Sequence, residues 1–190
     1  MTYKNLEELR VALLQDTGLL MSTLGPRIIP GEGPEDASIM FVGEAGGKNE
    51  CEQQRPFIGD AGRLLNDTLD KAGINREKTY ITNVVKARPT TDGKNRAPST
   101  KEVNRHKDWL MQEIRLIKPR VIVGLGRIAC RLLLEDDKVV MSKSVGKIFT
   151  KHYTDAILIP AWHPSYILTY RQNLIENEIE IFREAKRLSS

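Results

Sequence analysis

Apolar positions along the chain recur in two rhythms. Leu6, Leu9, Leu13 and Leu14 repeat at helical spacing and predict a helix over 6–14. Short apolar runs rich in β-branched residues predict strands at Ser38 to Val42, Lys78 to Val85, Arg120 to Gly124 and Ala156 to Pro160. Helical periodicity returns between them. From Asp60 it runs through Leu64, Leu65 and Leu69, with Gly73 as the stop. Ser99 and Glu102 form a capping-box pattern that opens a helix carrying Val103, Leu110, Ile114 and Ile117, closed before Pro119. The third strand enters LGRIACRLLL, a strand-to-helix turn, and a last helix covers 173–188. Two stretches lack a period. Gly25 to Pro34 carries three prolines and three glycines and is expected as a loop laid over the surface. Glu135 to Thr154 is charged, with a helix end and a short strand around Val145 to Thr150 as its expectation. Four strands alternating with helices predict an α/β fold: a three-layer α/β/α sandwich around a mostly parallel four-stranded sheet, with its loops gathered along one edge.

Composition narrows this picture modestly. The 190 residues, 40% of them hydrophobic, suit a single domain over 1–190. A net charge of +4 is compatible with a nucleic-acid partner and equally with a small-molecule enzyme. Cys51 and Cys130 are the two cysteines and form no CxxC pair, so no disulfide framework or cysteine zinc site is read from them. An intracellular, cytoplasmic, soluble protein is expected, since the first residues lack an apolar signal core and no apolar run reaches membrane-spanning length.

Candidate chemistry concentrates after the first strand, in Ala37 to Phe57. A loop at the carboxyl end of a parallel strand is where open α/β sheets build sites. Here Gly43, Gly46 and Gly47 permit close backbone approach, Glu44 and Glu50 supply carboxylates, and Phe57 offers a flat face. GEAGG is neither GxGxxG nor a phosphate-binding P-loop, which argues against dinucleotide binding. Asn83 lies in an apolar strand end, where its carboxamide needs backbone partners or a ligand. His163 lies between Trp162 and Pro164 at the end of the last strand. Taken singly, each has an ordinary structural reading; three strand ends together favour a site. The loop KARPTTDGKNRAP, Lys86 to Pro98, is a second, basic candidate.

GPRIIPGEG, IMFVGEAGG, RPFIGDAGRLLN, TYITNVVKARP, NRAP, PRVIVGLG and HPSYIL resemble, in order and spacing, the uracil-DNA glycosylase superfamily, most closely its family 4. The resemblance implies a base-excision repair enzyme that flips uracil out of DNA and hydrolyses its N-glycosidic bond without a cofactor for that step. It implies that Glu44 and Glu50 orient water and support positive charge on the sugar, and that His163 assists departure of the base. It places Phe57 under the flipped base and Asn83 on its edge, with Gly43, Ala45 and Gln53 completing the substrate pocket. Lys86, Arg88, Lys94 and Arg96 are expected to meet phosphates, and Ser165, Tyr166 and Ile167 to wedge into the vacated space. Uracil-containing DNA is the implied partner of a monomer, with a replication or repair protein as a further partner.

Three departures bear on that reading. Family 4 members carry a four-cysteine iron-sulfur cluster, whose ligand positions fall here on Asp16, Leu19, Ala87 and His106, so no cluster and no metal is expected. Gly46 stands where the family has proline in GEAPG, and Gln54 where it has glycine. These features keep an alternative open: a glycosylase-like DNA-binding or replication-accessory module of weak or no activity.

Overall fold

A computed structural model describes residues 3–20 and 24–190. In chain order its elements are α1 (Leu6–Gln15), β1 (Ile39–Ala45), α2 (Lys48–Gln53), α3 (Asp60–Lys71), β2 (Tyr80–Val85), β3 (Thr90–Thr91), β4 (Lys94–Asn95), α4 (Thr100–Ile117), β5 (Val121–Leu125), α5 (Arg127–Leu134), α6 (Met141–Ser144), β6 (Phe149–Lys151), β7 (Thr154–Ala161), α7 (Pro164–Tyr170) and α8 (Ile175–Leu188). The capping box at Ser99 and Glu102 forms, and Gly73 follows α3 at φ 70. The main sheet runs β2-β1-β5-β7-β6 and has five strands rather than four. The fifth, β6, is the short strand of the unperiodic segment; it joins β7 antiparallel, while the other pairs are parallel.

Alternation along β1 divides the core. Met40 and Val42 face a cluster with Leu110 and Ile114 of α4 and Leu133 of α5. Ile39 and Phe41 face the other side, with Leu65 and Leu69 of α3 and Phe182 of α8. Helices therefore cover both faces, as a buried parallel sheet requires. Chain direction reverses its lateral progress between β1, which is followed by β2 on one side, and β5 on the other. That switch opens a crevice at the carboxyl ends of the strands.

The proline-rich segment is not laid over the surface. Ile28 and Ile29 are buried, the Ile29 N–H donates to the Lys86 carbonyl at 2.7 Å, and Glu32 bridges to Ile81. Its irregular backbone covers the outer edge of β2, which would otherwise present unpaired amides. Periodicity could not reveal this, because prolines and glycines deny the segment a repeat while its isoleucines still bury.

Lys86 is also placed otherwise than expected. It is fully buried, its ammonium lies 2.5 Å from Glu113 Oε2, and it bonds Thr82 Oγ1 as well, so it cannot meet a phosphate. Glu113 accepts further from Tyr80 Oη at 3.1 Å and from Thr82 Oγ1. Burial pushes the Lys86 pKa down and the Glu113 charge opposes that shift. A buried pair so closely satisfied stands or falls together.

The four positions at which the resemblance places cluster ligands do not fit an iron-sulfur group. Leu19, Ala87 and His106 are buried, none of the four is a thiolate, and both cysteines lie elsewhere as buried free thiols. His106 closes part of this region. Its Nδ1 accepts the Lys86 backbone N–H at 3.1 Å. Its Nε2 makes no well-aligned hydrogen bond, although the Leu19 carbonyl lies close enough to favour the protonated ring. Burial, with the Lys86 charge, pushes its pKa down to about 4, so the ring is neutral at pH 7. One histidine thus holds the end of β2 and packs close to the Leu19 carbonyl, at a position where the resemblance implies a cluster ligand.

Lys86→Met is expected to cost ~3–5 kcal/mol in urea unfolding, because it leaves Glu113 as an uncompensated buried charge. Adding Glu113→Gln, which removes the charge but keeps an acceptor for Tyr80 and Thr82, is expected to recover part of that loss. A Lys86→Met variant as stable as the parent would contradict the buried pair.

Candidate active site

β1 continues three residues beyond Val42, so Gly43, Glu44 and Ala45 are still in the sheet. In parallel register Gly43 lies beside Asn83 and Ala45 beside Val85. Phe57 is brought to the same place by two left-handed residues, Gln54 and Phe57 itself, each at φ 53. Arg76 fixes that bend, donating to the carbonyls of Pro56 at 2.9 Å and Phe57 at 3.3 Å. Three groups meet at Gly43. A Cβ there would collide with Asn83 Oδ1 and with the Phe57 ring, so only glycine allows the carboxamide and the aromatic edge to share the position. Asn83 is 2% exposed, and its Oδ1 has no hydrogen-bond partner among the described residues. An orphaned buried carbonyl oxygen costs about 1–3 kcal/mol unless a ligand supplies a donor.

These groups open onto a cleft of about 570 Å³ that Glu44, Ala45, Glu50, Phe57, Asn83 and His163 line with others. Its volume suits a nucleobase and its sugar. His163, from the turn after β7, lies with its ring centroid 6.0 Å from that of Phe57. Its Nδ1 accepts the Ser165 N–H at 3.2 Å and lies 2.7 Å from Ser165 Oγ, which leaves Nε2 as the protonated nitrogen of the neutral ring. Burial pushes its pKa down to about 4. Gly126, at φ 88, passes so close behind it that a Cβ would lie 2.8 Å from His163 Cβ. The preceding Trp162 N–H is held at 3.2 Å by Glu178 of α8.

The two loop carboxylates differ in what they can do. Glu44 is half-buried, and no hydrogen bond holds its side chain among the described residues. Burial raises its pKa, with the Arg127 charge opposing. Glu50 is committed to the backbone: its carboxylate accepts the N–H groups of Gly47 at 3.1 Å, Ile58 at 3.0 Å and Gly59 at 2.7 Å. It staples the loop to the start of α3 while placing a carboxylate at the cleft wall. Removing it would disturb the loop as well as the charge.

Other expected site residues separate by burial. Gln53 is exposed on the last turn of α2, outside the cleft, because it faces away from the loop's inner side. Ile167 is 2% exposed, turned into the domain by the pitch of α7, so it cannot wedge into DNA. Ser165 and Tyr166 do line the cleft, with Tyr166 stacked on Trp162 at 5.2 Å. The basic loop forms the β3-β4 ribbon, turned by Asp92 and Gly93 at positive φ, and it leans Asn95 and Arg96 over the cleft. Arg96 is held by Glu102 at 2.7 and 2.8 Å. Arg88 instead donates to Asn95 Oδ1 and the Gly93 carbonyl and lines an adjoining hollow with Arg27 and Lys48. Lys48 lines both cavities, so they are adjacent. Arg27 and Arg127 were not singled out in the sequence, whereas Lys48 and Asn95 fall within two stretches that were, Ala37 to Phe57 and Lys86 to Pro98.

The two substitutions that departed from family 4 have local reasons. Gln54 is directed away from the cleft, its Nε2 donating to the Ile28 carbonyl at 3.1 Å. At Gly46, Ile29 Cδ1 occupies the space a proline ring carbon would need.

Comparison with known proteins agrees with this geometry. The model of the uracil DNA glycosylase superfamily matches residues 30–186. A type-4 uracil-DNA glycosylase of Archaeoglobus fulgidus is 38% identical over 84% of this chain and 81% of its own length. Another, of Thermotoga maritima, is 40% identical over 77% of this chain and 74% of its own. In fold, the crystal structure of Pedobacter heparinus SMUG2 superposes with a TM-score of 0.52 at 12% identity, covering 80% of this chain and 75% of that one. With the match spanning most of the sheet and every strand end that lines the cleft, the chain belongs to the uracil-DNA glycosylase superfamily.

Proposed function

We propose that the chain is a uracil-DNA glycosylase that takes uracil out of the DNA stack into the cleft and hydrolyses its N-glycosidic bond. The observation that carries this reading is the buried, unpartnered Oδ1 of Asn83 set beside Gly43 and the Phe57 ring. An amide there accepts from uracil N3–H and donates to O4, whereas cytosine offers the opposite polarity on that edge and would leave buried groups unpaired. Stacking on Phe57 contributes ~1–3 kcal/mol toward the few kcal/mol needed to unstack the nucleotide. Gly43 leaves no room between the two groups, which keeps the pocket narrow.

The chemistry divides between two sides of the sugar. As the bond breaks, the base becomes anionic and the sugar cationic, so fixed groups that meet those charges lower the barrier. His163 donates from Nε2 to the departing base as a neutral ring, already oriented by Ser165. Glu44 accepts a proton from the water whose oxygen bonds to C1′. Glu50, held by three backbone donors, adds a fixed negative charge beside the sugar. No step needs a metal or cofactor from these residues. Along the DNA, Arg27, Lys48 and Arg88 meet phosphates on one side of the cleft and the exposed Lys94 extends the ribbon's reach. The inactive-module alternative loses its support from Gln54 and Gly46, whose side-chain space is already taken up locally.

Release of free uracil from a uracil-containing oligonucleotide at enzyme excess tests the reading, and absence of release on single- and double-stranded DNA would overturn it. Excision is expected to fall as pH drops through the raised pKa of Glu44, because the protonated carboxyl cannot accept the water proton. Glu44→Gln should lower the single-turnover rate by ~10²-fold or more and flatten that acid limb. Asn83→Asp is expected to weaken uracil excision and shift preference toward cytosine, measured by competing oligonucleotides. In anisotropy titrations, Arg27→Ala and Arg88→Ala should each reduce the slope of log K against log salt by about 0.7–0.9, and an unchanged slope would remove those residues from the DNA path.

A further inference from the structure

The cleft residues leave one buried acid unexplained. Glu178 lies on the inner face of α8 at 2% exposure, and its Oε2 accepts the Trp162 N–H at 3.2 Å, one residue before His163. Its Oε1 is buried with no hydrogen-bond partner among the described residues. The groups that face it are that N–H at the end of β7 and the Cys130 thiol of α5. Burial pushes the thiol pKa up to about 12, the Glu178 charge contributes to that rise, and the thiol donates to the Gly124 carbonyl. Among the described residues no cation from α3, β5, β7 or the turn before α8 pairs with Glu178, and its two ion-pairing neighbours on α8, Glu180 and Glu184, point to Arg183 and Arg187 instead.

A carboxylate in such a place would be costly. Ionised, it would need several donors and has one, and it would set a negative charge behind the histidine that must stabilise an anionic base. Uncharged, it still lacks an acceptor for its own O–H, but that is a smaller deficit than an ionised carboxylate with one donor. We propose that Glu178 is a positioning residue that acts in its neutral form, fixing the Trp162–His163 turn through the Trp162 N–H and keeping the base side of the cleft free of negative charge. The inference rests on the glycosylase reading. It adds to it a third anchor for His163, after Gly126 and Ser165, and an alkaline limit to excision that none of the cleft residues supplies. Burial raises the Glu178 pKa to about 8, with the Trp162 hydrogen bond opposing, which places that limit in an accessible range.

Glutamine keeps the carbonyl acceptor and cannot ionise, so Glu178→Gln separates the hydrogen bond from the charge. Single-turnover uracil release by the parent is expected to fall by about tenfold for each pH unit above 8, beyond any loss shown by Glu178→Gln on the same oligonucleotide. Glu178→Ala should lose excision at pH 7, and Glu178→Gln should restore it. A purely structural glutamate would give parent and Glu178→Gln the same pH profile, and that result overturns the proposal. A second readout needs no activity. Because the folded-state pKa is raised above the unfolded one, the group's stabilising contribution is complete below about pH 4.5 and lost as pH rises through about 8. The parent should therefore lose stability relative to Glu178→Gln over that window in urea unfolding, and parallel curves would also overturn the proposal. If the parent releases no uracil at pH 7, the glycosylase reading fails, while the unfolding curves still decide whether Glu178 is buried uncharged.

Discussion

The site depends on the missing side chain at Gly43. Parallel pairing sets this residue beside Asn83, and the left-handed bend at Phe57 brings an aromatic edge to the same point, so three chain segments converge where any Cβ would force them apart. The convergence has a thermodynamic consequence. Asn83 Oδ1 is buried without a partner among the described residues, a deficit of about 1–3 kcal/mol that, on the proposed reading, a base with an N–H at the right edge removes. On the proposed reading, recognition is stored as an unsatisfied group rather than as an added contact, and a base of the wrong polarity leaves the deficit in place.

Rigidity around that point comes from charges used structurally. Glu50 ties three backbone N–H groups of two loops together, and Arg76 holds the Phe57 bend by its carbonyls. On the opposite face of β2, Lys86 and Glu113 form a buried pair, and His106 accepts the Lys86 backbone N–H at the same strand end. Around the positions where the resemblance implies cluster ligands, Leu19 and Ile28 pack in an apolar cluster with Leu13.

The three layers, four of the five main-sheet strands and the long helices were legible in the sequence, because β-branched runs, the capping box at Ser99 and the glycine after α3 report on local structure directly. What escaped was set by tertiary context. Lys86 and Arg88 both belong to one basic run just past the end of β2, yet Lys86 is buried against Glu113 while Arg88 lines the hollow with Arg27 and Lys48. Ile167 follows two residues that line the cleft but falls on the buried side of α7. The burial of the proline-rich loop and the fifth strand at Phe149–Lys151 both lie in segments without a period. Glu178 carries no sequence signal, since a glutamate among the charged residues of a terminal helix reads as solvated until the helix is docked.

On the proposed reading, Asn83 waits for a uracil edge. Nitrogen-15 NMR of the asparagine side-chain amides, with Asn83 assigned by substitution, observes that group during titration with free uracil and with cytosine. Uracil is expected to shift the Asn83 amide signals saturably and cytosine to leave them in place; equal response to both bases, or none to uracil, would contradict it.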